Sequence, residues 1–158
     1  MKIKFWPDFV ATLAGVGKVK VAPGTFGTLA FVPFALSLSF FASEYFYMLI
    51  TVGFVIISVF ASEAYGKGKD LKSIVIDEAA GLLVAMFMIP LVPAYWILGV
   101  VIFRFFDIAK PFPISYLDKN VKGGFGVVLD DLVAGLFTNA LMHFVVIKYL
   151  SDFRAAWS

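Results

Sequence analysis

Long stretches of this chain carry no charge, and the charged residues gather in short clusters between them. Two mainly apolar runs, residues 45–65 and 127–150, each reach the roughly 20 residues that a helix needs to cross a bilayer. A third, residues 25–42, is nearly as long and contains Pro33, which a spanning helix tolerates when neighbouring helices satisfy the freed carbonyl. No alternating strand pattern competes with the helical reading, and no internal repeat is evident.

The difficult stretch is residues 77–107, where Pro90 and Pro93 divide an apolar run in two. As one straight helix it would be about 45 Å long, well beyond the hydrocarbon core of about 30 Å. Folded back at "IPLVP", each half would be about 20 Å and would need tilt or local thinning. The basic residues arbitrate, because cytoplasmic loops collect Lys and Arg. Lys2, Lys4, Lys18 and Lys20 precede the first span, Lys67, Lys69 and Lys72 follow the second, and Lys110, Lys119 and Lys122 follow the divided run. A hairpin puts every cluster on one side, whereas a single crossing would export one of them. The expected fold is therefore all-α: a polytopic membrane helix bundle of about five membrane segments, including a short Pro-broken hairpin, with a cytoplasmic N-terminus. The opening "MKIKFWPDFVATLAG" has a basic start but no convincing cleavage site, so it predicts a short amphipathic segment on the membrane surface.

Composition agrees with this picture. The chain has 158 residues, 61% of them hydrophobic, and a mean hydropathy of +0.95, far above soluble domains. That length leaves room for one integral-membrane domain, residues 1–158, and no separate soluble module. A net charge of +2 with lysines in short loops argues against a nucleic-acid partner. The absence of cysteine removes thiolate nucleophiles, disulfides and zinc–sulfur sites.

The hairpin brings three acidic clusters to one membrane face: Asp77 and Glu78, then Asp107 with Arg104 and Lys110, then Asp130 and Asp131. Each has a plain structural explanation. Acidic residues at a helix N-terminus offset the macrodipole by about 0.3–1 kcal/mol, and Arg104 and Asp107 stand three apart and can neutralise each other. Taken together they ask for more, because ionisable groups bordering apolar spans cost several kcal/mol unless they pair or bind something. Oxygen-only ligands favour a hard cation, Mg2+ before Zn2+, with Arg104 and Lys110 meeting phosphate oxygens. His143 lies about 18 Å beyond Asp131 along one helix and reads as a packing or snorkelling residue. With no Cys and a single His, hydrolysis would use metal-activated water or an aspartate nucleophile. "GVGK" lacks the Ser/Thr and preceding strand of a Walker motif. Gly24, Thr25, Gly27 and Thr28 could offer backbone N–H groups to an anion, or could equally form a turn that permits close helix packing.

The segments "APGTFGTL", "IVIDEAAG", "FRFFDIAKPFPI" and "GGFGVVLDDLVAGL" together resemble the phosphatidylglycerophosphatase A family, in its order and over nearly the whole chain. The resemblance implies an Mg2+-dependent lipid phosphatase of the bacterial inner membrane, which converts phosphatidylglycerophosphate to phosphatidylglycerol in glycerophospholipid biosynthesis. By position it puts the acidic motif on Asp77 and Glu78, the Arg-x-x-Asp-x-x-Lys-Pro motif on Arg104, Asp107, Lys110 and Pro111, and the late aspartate pair on Asp130 and Asp131. Combined with the residue-level reading, it makes Asp77, Glu78, Asp130 and Asp131 the expected Mg2+ ligands and Arg104 and Lys110 the phosphate binders, with Asp107 orienting one of them. Asp107, Asp130 and Asp131 are the expected catalytic residues, and an aspartyl-phosphate route through Asp107 or Asp131 stays open. The competing reading from another class is a small cation- or proton-coupled transporter using the same carboxylates, which would place them near the midplane at broken helices.

Overall fold

The computed structural model describes residues 5–149; Lys2, Lys4 and the C-terminal tail lie outside the described residues. Seven α-helices and no strands occur within them. They are α1 (Phe5–Ala11), α2 (Pro23–Phe41), α3 (Glu44–Gly66), α4 (Ile76–Ala85), α5 (Pro93–Ala109), α6 (Ile114–Asn120) and α7 (Gly123–Leu141), the last continuing as a π-helical stretch, Met142–Ile147. Three are long and apolar enough to cross a membrane: Pro23–Phe41, Glu44–Gly66 and the continuous Gly123–Ile147. Each matches one of the three runs expected from hydropathy.

The boundaries have local causes. Pro23 opens α2, where its missing N–H costs nothing and its fixed φ suits a first turn. Ser43 caps α3, its side chain accepting from Phe46 N at 3.4 Å. The start of α7 falls four residues before the expected one, because the "GGFG" stretch is helical. Gly124 lies so close to α3 that a Cβ there would sit 2.6 Å from Glu63 N. Its own N–H donates to Glu63 Oε2 at 2.5 Å, occupying one of the free donors of the helix start. Asp130 and Asp131 are consequently not at the mouth of their helix. They lie about 10 Å into it, with no acidic residue in its first turn, so the macrodipole does not account for them.

Residues 77–107 form two antiparallel helices, not one. Helix α4 ends at Ala85, Met88 takes a left-handed φ of 57°, and Pro93 opens α5. Arg104, near the end of α5, returns to within 3.8 Å of Glu78 at the start of α4. At 10 and 17 residues these arms are shorter than the three long helices. Except for Glu78 and Val84, α4 is buried, enclosed mainly by α7, α3 and α2. The closest approach is to α7, where a Cβ on Gly81 would stand 2.6 Å from Asp131 O, and one on Gly135 would overlap Gly81 O. Small residues permit such contact where apolar burial alone does not drive helices together. Tyr47 of α3 donates to Leu83 O at 2.9 Å.

The end of α4 needs donors, since its last carbonyls have no intrahelical partner. Asn139 of α7 supplies them, Nδ2 lying 3.1 Å from Ala85 O and 2.8 Å from Phe87 O. His143, in the π-helical stretch, has Nε2 at 3.2 Å from Phe87 O. This is the end of α7 away from the aspartates, where the sequence places His143.

Candidate active site

Four elements converge at the opposite end of α4. The first turn of α4 presents Asp77 and Glu78, and α7 presents Asp131 across the Gly81 crossing. One carboxylate oxygen from each of these three residues lies within 4.8 Å of the others. Asp77 is 7% exposed and Asp131 4%, so little water screens them. Asp77 Oδ1 accepts from Glu78 N at 3.0 Å, while Glu78 Oε2 and Asp131 Oδ1 are buried with no hydrogen-bond donor. Asp107 adds a further negative charge acting on Asp131 and Glu78.

Arg104 faces this group from α5. Its Nη1 forms an ion pair with Asp107, approaches Glu78 Oε1 at 3.8 Å and lies 3.4 Å from Thr28 Oγ1, which it can donate to. Its Nε is buried and has no acceptor. The start of α2 closes over the pair. A Cβ on Gly24 would run into Glu78 Oε1 and sit 3.1 Å from Arg104 Nη2, so only glycine lets α2 come this near. Thr28 Oγ1 donates to Gly24 O at 2.9 Å, which aims its lone pairs at the guanidinium. Thr25 is half-buried on the same turn. Gly27 faces away from the charges and packs against Val75, so at that position the glycine serves helix packing.

Asp130 does not join the three carboxylates, because consecutive residues on a helix point in different directions. It is 5% exposed and accepts from Lys110 Nζ at 2.5 Å. Lys110 donates as well to Asp118 Oδ1 of α6 at 2.7 Å. Burial on its own lowers the Lys110 pKa, but the hydrogen bonds to Asp118 and Asp130 outweigh it and hold the ammonium above the ordinary lysine range. A raised pKa keeps this pairing intact at neutral pH and loses it only as pH rises through the shifted value.

Sequence reasoning missed Asp118 and Glu63. Asp118 belongs to no quoted motif and stands in what reads as a loop; only its carboxylate eight residues after Lys110, one turn-and-helix away, could have signalled it. Glu63 had a clearer signal, as an acidic residue near the end of an otherwise apolar span.

The donor set suits a divalent cation. Like charges about 4 Å apart repel by about 4 kcal/mol at the effective dielectric of a protein edge, and Arg104 alone does not neutralise Asp77, Glu78, Asp107 and Asp131. Two buried carboxylate oxygens are without donors, and every available ligand atom is a hard oxygen.

No solved structure matches the chain. The family model for phosphatidylglycerophosphatase A matches residues 9–146. A phosphatidylglycerophosphatase A from Escherichia coli (strain K12) is 34% identical over 135 residues, covering 83% of this chain and 78% of that protein. One from Haemophilus influenzae is 33% identical over 127 residues, 78% of each chain. A relative from Bacteroides thetaiotaomicron, named provisionally as a phosphatidylinositol-3-phosphatase, is 32% identical over 147 residues, 87% of this chain and 92% of that one. All four quoted motifs, and every carboxylate and cation of the site, fall inside the matched residues: the chain belongs to the phosphatidylglycerophosphatase A family and is a lipid phosphatase.

Proposed function

We propose that this protein removes the terminal phosphate of phosphatidylglycerophosphate, leaving phosphatidylglycerol, at the cytoplasmic face of a bacterial inner membrane that it crosses several times. The observation that carries the reading is the triad of buried Asp77 and Asp131 with partly buried Glu78, beside a guanidinium with an unused donor. The triad would hold Mg2+, which when bound supplies positive charge to the phosphate oxygens and acidity to a coordinated water.

The chain's own side chains do the rest. Arg104 is held in place by Asp107 and Thr28 and keeps Nε free for a phosphate oxygen, a charge-assisted bond stronger than a neutral one. Lys110 is charged and steadied by Asp118 and Asp130 at the same end of the bundle, within reach of a head group that displaces one of them. Asp130 thereby serves as the anchor of a phosphate-binding lysine instead of a metal ligand. The diacylglycerol part stays in hydrocarbon, so the membrane supplies much of the positioning that a soluble enzyme must build. The cytoplasmic placement draws support from the basic loops, since Lys69 and Lys122 line one crevice with Asp118 at this end of the molecule.

The test is phosphate release from phosphatidylglycerophosphate by purified protein in mixed micelles, with Mg2+ and with EDTA. Release that needs Mg2+ and yields phosphatidylglycerol is the expected result. Folded protein that releases phosphate from phosphatidylinositol 3-phosphate alone would overturn the head-group assignment, and equal release in EDTA would overturn the metal.

A further inference from the structure

Helix α2 passes the site at Thr28, near its start, and α5 at Arg104, near its end. Between them lies an apolar groove of about 790 Å³, with Val32, Leu36, Trp96 and Val100 among its lining residues. Its upper rim is Leu29, the residue after Thr28, and Val101, one turn before Arg104. Phe40, Phe41 and Leu91 stand at its far end. The one hydroxyl in the wall, Ser37, already donates to Pro33 O at 2.8 Å, and the one other side-chain polar atom among the lining residues, Trp96 Nε1, is buried and has no acceptor. The groove runs about 12 Å along α5, from Val101 to Pro93, and about 18 Å along α2, from Leu29 to Phe41, which brackets the hydrocarbon depth of one leaflet, about 15 Å.

We propose that this groove is the binding site for one acyl chain of the substrate, entered from the phosphate end. The inference rests on the head-group reading above and adds the second contact. Three observations support this occupant over any other: the groove begins one residue from Thr28 and one turn from Arg104, its lining is almost wholly apolar, and its length is close to that of a lipid tail in one leaflet. A chain seated there fixes the depth of the phosphorus relative to Arg104, so tail contacts become positioning at the reacting end.

Groove-filling variants Ile97→Trp and Val101→Trp, with Ile56→Trp on the exposed face of α3 as control, are assayed on phosphatidylglycerophosphate carrying two palmitoyl or two hexanoyl chains. The expected result is a loss of about tenfold or more in kcat/KM for the palmitoyl substrate in both groove variants, with the hexanoyl substrate little changed and the control unaffected on both. Equal losses on both substrates, or no loss on either, would overturn the acyl site while leaving the head-group reading standing. Wild-type protein that releases phosphate from neither substrate overturns the head-group reading and the groove's role with it.

Discussion

Asp131 is the residue on which the site's electrostatics turn. It comes from a different helix than Asp77 and Glu78, is 4% exposed, and leaves one oxygen without a donor. If the triad is a cation site, its repulsion is offset only when the cation is bound. Asp131→Asn is therefore expected to lower phosphate release to under a tenth of wild type, a barrier increase above about 1.4 kcal/mol. The same change is expected to leave thermal stability in EDTA unchanged or raised, and to abolish the stabilisation that Mg2+ gives the wild type, which is about 2.7 kcal/mol at a hundredfold excess over Kd. Thermal unfolding with and without Mg2+ measures both. An Asn variant that is still stabilised by Mg2+ to the wild-type extent removes Asp131 from the ligand set.

At the level of elements, the site depends on how closely α4 and α7 cross. A Cβ on Gly81 would meet Asp131 O and the Phe103 ring, at 2.6 and 2.8 Å, so Gly81→Ala pushes apart the two helices that carry Asp77 and Asp131. The expected outcome is a several-fold rise in the Mg2+ concentration giving half-maximal activity, with overpacking of about 1–3 kcal/mol partly offset by alanine's better helix propensity. Gly53→Ala on α3, where nothing lies within 4 Å, should leave the Mg2+ requirement where it is. The three long helices were legible in the sequence because hydropathy over some twenty residues overrides local detail. The hairpin was legible from Pro90, Pro93 and the lysine clusters. The start of α7 was not, since "GGFG" has poor helix propensity and becomes helical only through its contact with Glu63, 61 residues earlier. The same limit hid the separate duties of Asp130 and Asp131. Adjacency in sequence suggested a shared ligand, whereas the helix turns one toward Lys110 and the other toward Asp77.

For the whole molecule, the carboxylates and the turn between α4 and α5 occupy opposite ends. Met88, Ile89, Pro90 and Leu91 lie beside the α2–α3 turn at Ala42 and Ser43, while Lys69 shares a crevice with Asp118 and Lys122. The chain has no cysteine of its own, so Leu91→Cys and Lys69→Cys can each report sidedness. An impermeant maleimide added outside intact spheroplasts should label the first and not the second; labelling of Lys69→Cys from outside would invert the proposed orientation. The short buried α4 has a further consequence. It is tied to α7 by the glycine crossing at its middle and by Asn139 at its end, whereas Arg104 and Asp107 ride on α5. A bilayer that grows thicker or thinner makes long helices tilt to match it, and a tilt that shifted α5 against the α4–α7 pair would carry Arg104 and Asp107 with it while Asp77, Glu78 and Asp131 kept their spacing. Membrane thickness is therefore expected to act first on the Arg104 side of the site, so that phosphate release in vesicles of short and of long acyl chains differs in KM more than in its Mg2+ requirement.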